Sequence, residues 1–126
     1  MSRQAHTAAF EFATEVYNAV DSMDEQRLAP FLTENCRFVY ANNDPVVGRV
    51  NAAASSKKFL DTLAAIKHDL LEVWSFDDVI VSQIKVTYTR KDETTLTIPA
   101  ATIWRVHGEQ IDEYRIYVDI GPLFSH

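Results

Sequence analysis

Glycine is scarce in this chain, three in 126 residues, and Gly48, Gly108 and Gly121 lie far apart. A glycine-rich phosphate cradle is thereby excluded. The one cysteine, Cys36, can neither close an internal disulfide nor build a cysteine-rich metal site, and a reducing cytoplasm is the expected setting. Positive charge is also short: twelve Lys and Arg against eighteen Asp and Glu leave a formal charge of -6, with no basic run longer than two. That balance argues against nucleic acid or an anionic membrane as partner, because both reward clustered cations. No apolar run approaches the roughly 20 residues that cross a bilayer, and MSRQAHTAAFEF lacks the uninterrupted apolar core of a signal peptide. No serine sits in a nucleophile-elbow context. The four histidines, His6, His68, His107 and His126, show no metal-ligand spacing. No metal and no cofactor are expected.

What is present is a 47% hydrophobic, 24% charged sequence, suited to a single domain over residues 1–126 with one core. Ala9, Phe12, Ala13, Val16, Tyr17 and Val20 recur at helical spacing, which predicts a first helix from about Gln4 to Ser22. Asp24 can cap a short second helix through Phe31, with Leu28, Phe31 and Leu32 on its buried side. Cys36 to Asn42 reads as a strand with Phe38, Tyr40 and Asn42 on one face. Asn51 is placed to cap a third helix to about Leu63, burying Ala54, Phe59, Leu60 and Leu63.

Four strand-like segments follow: Lys67 to Phe76, Val79 to Arg90, Thr95 to Val106 and Gln110 to Ile120. Their short polar connections suit antiparallel hairpins. The pattern predicts an α+β fold, three N-terminal helices packed on one face of a curved antiparallel or mixed sheet. Alternation assigns Ile80, Ser82, Ile84, Val86 and Tyr88 inward, with Ile98, Ala100, Thr102, Trp104 and Val106, and with Tyr114, Ile116 and Val118. The opposite face keeps Val79, Val81, Ile103, Tyr117 and Ile111 among polar residues. It is too apolar for open solvent, so a homodimer through the sheet is expected.

Helix 1, VDSMDEQRLAPFL, the strand FVYAN, the turn DPVVGR, helix 3 and the closing GEQIDEYRIYVDIGPLF together resemble the nuclear transport factor 2 superfamily. The resemblance is to its SnoaL-like polyketide cyclase and ketosteroid isomerase branch, and it covers nearly the whole chain. It implies a cone-shaped α+β barrel with a deep apolar cavity between helices and sheet, usually dimeric. It does not by itself imply one activity, because this fold hosts isomerases, cyclases, dehydratases, epoxide hydrolases and non-enzymes.

Three partial resemblances nominate site residues. Tyr40 and Asn42 are similar to the Tyr-x-Asn pair that holds water in limonene epoxide hydrolases, but Ile116 stands where that family needs an acid. Asp44-Pro45 is similar to the Asp-Pro of ketosteroid isomerases, yet Thr102 falls where their oxyanion-holding acid belongs; a turn aspartate beside proline is the plainer reading. Scytalone dehydratases match at Asp21, Tyr40 and His68, and depart at Val20 and Tyr88. Imidazole titrates near pH 6.5 and can both give and take protons, which makes His68 the preferred acid-base residue. Between Lys67 and Asp69 it could equally be a surface histidine.

The sequence therefore leads to a cofactor-independent isomerase, cyclase or dehydratase acting on a small apolar carbonyl compound. His68, Asp21, Tyr40 and Asn42 are its candidate catalytic residues, and Tyr17, Tyr88, Thr102, Trp104, Tyr114 and Ile116 its candidate substrate contacts. The alternative is a non-catalytic ligand-binding or dimeric scaffold protein of the same fold.

Overall fold

The computed structural model describes residues 3–124, with side chains from His6 onward; His126 lies outside the described residues. Helix α1 (Arg3–Asp21) and the single turn α2 (Glu25–Leu28) come first. Asp24 caps α2 by accepting from the Gln26 backbone N–H at 2.9 Å. A 3-10 turn (Ala29–Phe31) leads into β1 (Leu32–Tyr40), followed by the two-residue β2 (Val46–Val47) and α3 (Arg49–Leu60). The meander β3 (Leu63–Phe76), β4 (Val79–Arg90), β5 (Thr95–His107) and β6 (Gln110–Val118) completes the sheet, and the C-terminal turn α4 (Gly121–Phe124) follows it. Among the described residues no helix is long and apolar enough to cross a membrane.

Strand order is β2-β1-β6-β5-β4-β3. β1 runs parallel to β6, whereas the other neighbours are antiparallel. The sheet is thus mixed and stays open at β2 and β3, so the cone is completed by helices rather than by strand closure. α1 lays Ala9, Ala13, Val16, Tyr17 and Val20 onto the concave face, all buried, as its spacing predicts. Trp104 is wholly enclosed, with its ring 5.9 Å from Phe12, 5.4 Å from Tyr17 and 5.2 Å from Tyr114. Truncating such a side chain to alanine typically costs about 3–5 kcal/mol.

Three departures from simple periodicity shape the interior. The third helix begins at Arg49, ahead of Asn51. Its N-cap is Gly48 at φ 103°, a left-handed value that favours glycine, and Asn51 Nδ2 instead donates to the Val47 carbonyl at 3.0 Å. With the start moved, Ala52 and Ala53 are buried and Ala54 is exposed. On β6, Val106 pairs with Ile111 but Arg105 with Glu113. This bulge at Asp112 turns Ile111 inward, where it is fully buried. On β3, Leu70 pairs with Ile84 and Glu72 with Gln83, so Leu71 is bulged. His68 shares its face with Ile66 and Leu70 by plain alternation, and the bulge puts Trp74 on the other, outward face, half exposed.

A candidate acid-base site in the cone

The concave face and α1 enclose a cavity of about 330 Å³. No Asp, Glu, Lys or Arg lines it among the described residues. Tyr17, Tyr40, His68, Tyr88, Thr102, Tyr114 and Ile116, all foreseen as site residues, do line it. Asp21, Asn42 and Trp104 do not.

Asp21 is one layer back, the last residue of α1, where the helix dipole disfavours a carboxylate. β3 supplies the compensation. The His68 backbone N–H donates to both Asp21 oxygens at 3.2 and 3.1 Å, and His68 Nδ1 sits 2.6 Å from Oδ1. Lys67 Nζ lies 3.9 Å from the other oxygen. A carboxylate that already accepts the His68 backbone N–H also accepts from Nδ1, which puts the neutral imidazole's lone pair on Nε2. The ring is held by stacking on Tyr17, with centroids 4.9 Å apart and planes 19° from parallel. This is the orienting arrangement general acid-base chemistry needs: one nitrogen clamped, the other available.

At the inner end, Tyr17 Oη lies 2.5 Å from Ser82 Oγ and 2.7 Å from Thr102 Oγ1, and those two are 2.5 Å apart. Three hydroxyls carry three protons, and three contacts use all of them. The result is a closed ring in which each group donates once and accepts once. Burial, partly offset by the Ser82 and Thr102 hydrogen bonds, pushes the Tyr17 phenol up to about 12. Ser82 was not foreseen as a site residue. Its signal was a lone hydroxyl between Ile80 and Ile84 on an inward strand face.

The outer end differs. Tyr40 packs its ring 5.2 Å from Phe59, and its hydroxyl is buried with no hydrogen-bond partner. Burial above all, then the neighbouring Tyr88 phenol, raise its pKa far above the ordinary tyrosine value. Burial also raises Tyr88 and Tyr114. Ser55, Ser56 and Asn43 add polar groups to the lining.

Two expectations are corrected here. Asn42 does not continue the Tyr40 face, because β1 stops at Tyr40 and Ala41 takes a left-handed φ of 52°. Asn43 N–H closes a turn on the Tyr40 carbonyl at 3.0 Å, leaving Asn42 and Asp44 exposed; no Tyr-x-Asn water site forms. Trp104 faces inward as alternation requires, but Tyr17 and Tyr114 pack against it. It supports the cavity wall from behind.

Comparison with known proteins agrees with this architecture. The SnoaL-like domain family matches residues 13–114. A protein of ketosteroid isomerase-like fold from Catenulispora acidiphila DSM 44928, solved with trimethylamine, superposes with a TM-score of 0.84 at 16% identity, over 91% of this chain and 90% of that one. A candidate SnoaL-like polyketide cyclase from Jannaschia sp. CCS1 gives 0.82 at 15% identity, over 95% and 91%. The epoxide hydrolase/cyclase-like enzyme SalBIII, of pyran ring formation in the polyether salinomycin, gives 0.77 at 16%, over 90% and 92%. At these identities the likeness is one of fold. No curated protein matches the chain significantly. Fold, cavity and the matched segment lead to one assignment: the chain belongs to the SnoaL-like domain family.

Proposed function

We propose that the protein is a cofactor-independent acid-base catalyst, an isomerase, cyclase or lyase acting on a small apolar carbonyl compound inside the cone. The observation that carries this reading is the Asp21–His68 pair, with Nδ1 engaged at 2.6 Å and the ring lining the cavity. His68 Nε2 takes a proton from a C–H or O–H conjugated with the carbonyl and returns it elsewhere on the same molecule. Asp21 holds the tautomer and balances the imidazolium formed in between. Tyr40 donates to the carbonyl oxygen, and the aromatic walls exclude water that would compete for the proton.

The test is proton exchange. Enolisable polyketide- and terpenoid-like ketones incubated in deuterium oxide should gain deuterium beside the carbonyl with the wild-type protein. H68Q should lose that exchange while keeping its fold by circular dichroism. Undiminished exchange in H68Q would remove the histidine from the mechanism. The outward placement of Asn42 favours a second reading, a binding protein without turnover. Retention of a carbonyl metabolite through native purification, seen by mass spectrometry with no exchange of any ketone, would support it.

The convex face of the sheet belongs to the same proposal. Trp74, Val81 and Ile103 sit side by side in register, with Tyr117 nearby on β6, and Trp74, Ile103 and Tyr117 are exposed. A second copy of the chain covers this surface, and sedimentation of the wild type against W74E/I103E reads it as a dimer falling to a monomer.

A further inference from the structure

The two ends of the cavity satisfy their polar groups to different degrees. At the inner end all three hydroxyl protons of Tyr17, Ser82 and Thr102 are used within their ring, and His68 turns its lone-pair nitrogen away from Asp21. The hydroxyl ring and Nε2 therefore present acceptor lone pairs to the cavity and keep no spare proton of their own, whereas the unpartnered Nε1–H of Trp104 lies behind the wall, off the lining. At the outer end the Tyr40 hydroxyl is buried and forms no hydrogen bond of normal geometry, the Tyr88 phenol being its polar neighbour. Burial keeps it in the protonated, donating form. Leaving such a group unpaired costs free energy, so it is worth retaining where something else completes it. The lining holds no Asp, Glu, Lys or Arg, and His68 is already paired with Asp21 at 2.6 Å, so no net charge is on hand to neutralise a ligand ion and burying one there would be costly.

We propose that the cavity takes an uncharged hydroxy-carbonyl compound in one orientation, its hydroxyl donating inward to His68 and the hydroxyl ring, its carbonyl accepting outward from Tyr40. The proposal rests on the cavity being the ligand site described above, but not on turnover. A volume of about 330 Å³ corresponds to roughly ten waters at ~30 Å³ each. One or two rings fit. A site built to pair a ligand hydroxyl rejects the analogue that lacks it, because its own buried groups are then left unpaired.

The experiment is calorimetric titration with four probes of one shape: para-hydroxybenzophenone, benzophenone, para-benzylphenol and para-benzoylbenzoate. The first, carrying both groups, should bind at least about tenfold more tightly than either single-group probe, and the carboxylate should not bind. Y40F should bring para-hydroxybenzophenone down to the affinity of para-benzylphenol and leave the latter unchanged. S82A leaves two hydroxyls and one contact, which frees a proton at the inner end. The freed O–H can donate to a phenol oxygen, so para-hydroxybenzophenone should keep its advantage over benzophenone in S82A. Y40F removes only an unpartnered hydroxyl, so its thermal melt should stay at or above that of the wild type and separates a lost contact from a lost fold. Equal affinities for the three neutral probes, tight binding of the carboxylate, or an unchanged probe ranking in Y40F would overturn the orientation while leaving a ligand cavity in place. Binding of none of the four would overturn both.

Discussion

The inner end of the cone, drawn from α1, β3, β4 and β5, and the outer end, drawn from β1, α3 and β4, satisfy their polar groups to different degrees. Inside, Asp21, His68, Tyr17, Ser82 and Thr102 form contacts of 2.5 to 2.7 Å, so each group fixes its neighbour. Outside, Tyr40 and Tyr88 meet across Phe59, and the Tyr40 hydroxyl is unpaired. The difference separates two jobs: a rigid end can hold a reactive nitrogen in place, and an unsatisfied end gains by taking up a ligand.

Breaking the inner end should have the largest effect. Replacing Asp21 with Asn exchanges an acceptor for a group that can donate to Nδ1, which moves the proton to Nε2 and removes the base. Exchange of the ketone proton should fall by about 10²–10⁴-fold in D21N or H68Q, whereas the outer-end change Y40F should leave measurable exchange. Cutting the hydroxyl ring comes next. S82A strands Tyr17 and Thr102 with one bond fewer each and should lower stability by about 1–3 kcal/mol, read as a drop of several degrees in the melting temperature.

Alkaline titration sharpens the comparison further. The Tyr17 phenol rises from 10.0 to about 12 on folding. Its contribution to stability is thus complete below the unfolded value and is lost as pH climbs from about 10 toward about 12. Tyrosinate absorbance and the circular dichroism signal should change together over that interval, and Y17F should uncouple part of the ionisation from the unfolding. The smallest effect belongs to the outer end in the empty protein. Y40F should be neutral or stabilising by up to about 1 kcal/mol, since it deletes a buried group with nothing to bond. A clear destabilisation would show that Tyr40 has a structural partner.

Much of the fold was legible because its periodicities run unbroken. On β4, Ile80, Ser82, Ile84, Val86 and Tyr88 alternate without interruption, and all five are buried; the helix 1 stripe is equally regular. Legibility ended where the backbone departs from period. The bulge at Leu71 parts the face of His68 from that of Glu72 and Trp74, the bulge at Asp112 turns Ile111 inward, and the left-handed Ala41 sends Asn42 into solvent. Local sequence carries almost no mark of these single-residue shifts, because a bulge is set by the register in which two strands pair and not by the bulged residue itself. The hydroxyl ring was hidden for another reason. Tyr17 meets Ser82 and Thr102 across 65 and 85 residues, a proximity that exists only after α1 lies down on the sheet. Trp104 shows the converse: facing inward is necessary for touching a ligand but not sufficient when two aromatic rings lie in front.

Cys36, wholly enclosed on β1, gives the molecule an internal clock. Burial first, then the negative charges of Asp112 and Glu113, push its thiol up to about 12, so the nucleophilic thiolate is almost absent at neutral pH in the closed structure. Alkylation by iodoacetamide must therefore wait for β1 to detach from its neighbours. As the only sulfhydryl in the sequence, it makes the labelling rate a measure of the fraction of time this edge of the cone stands open.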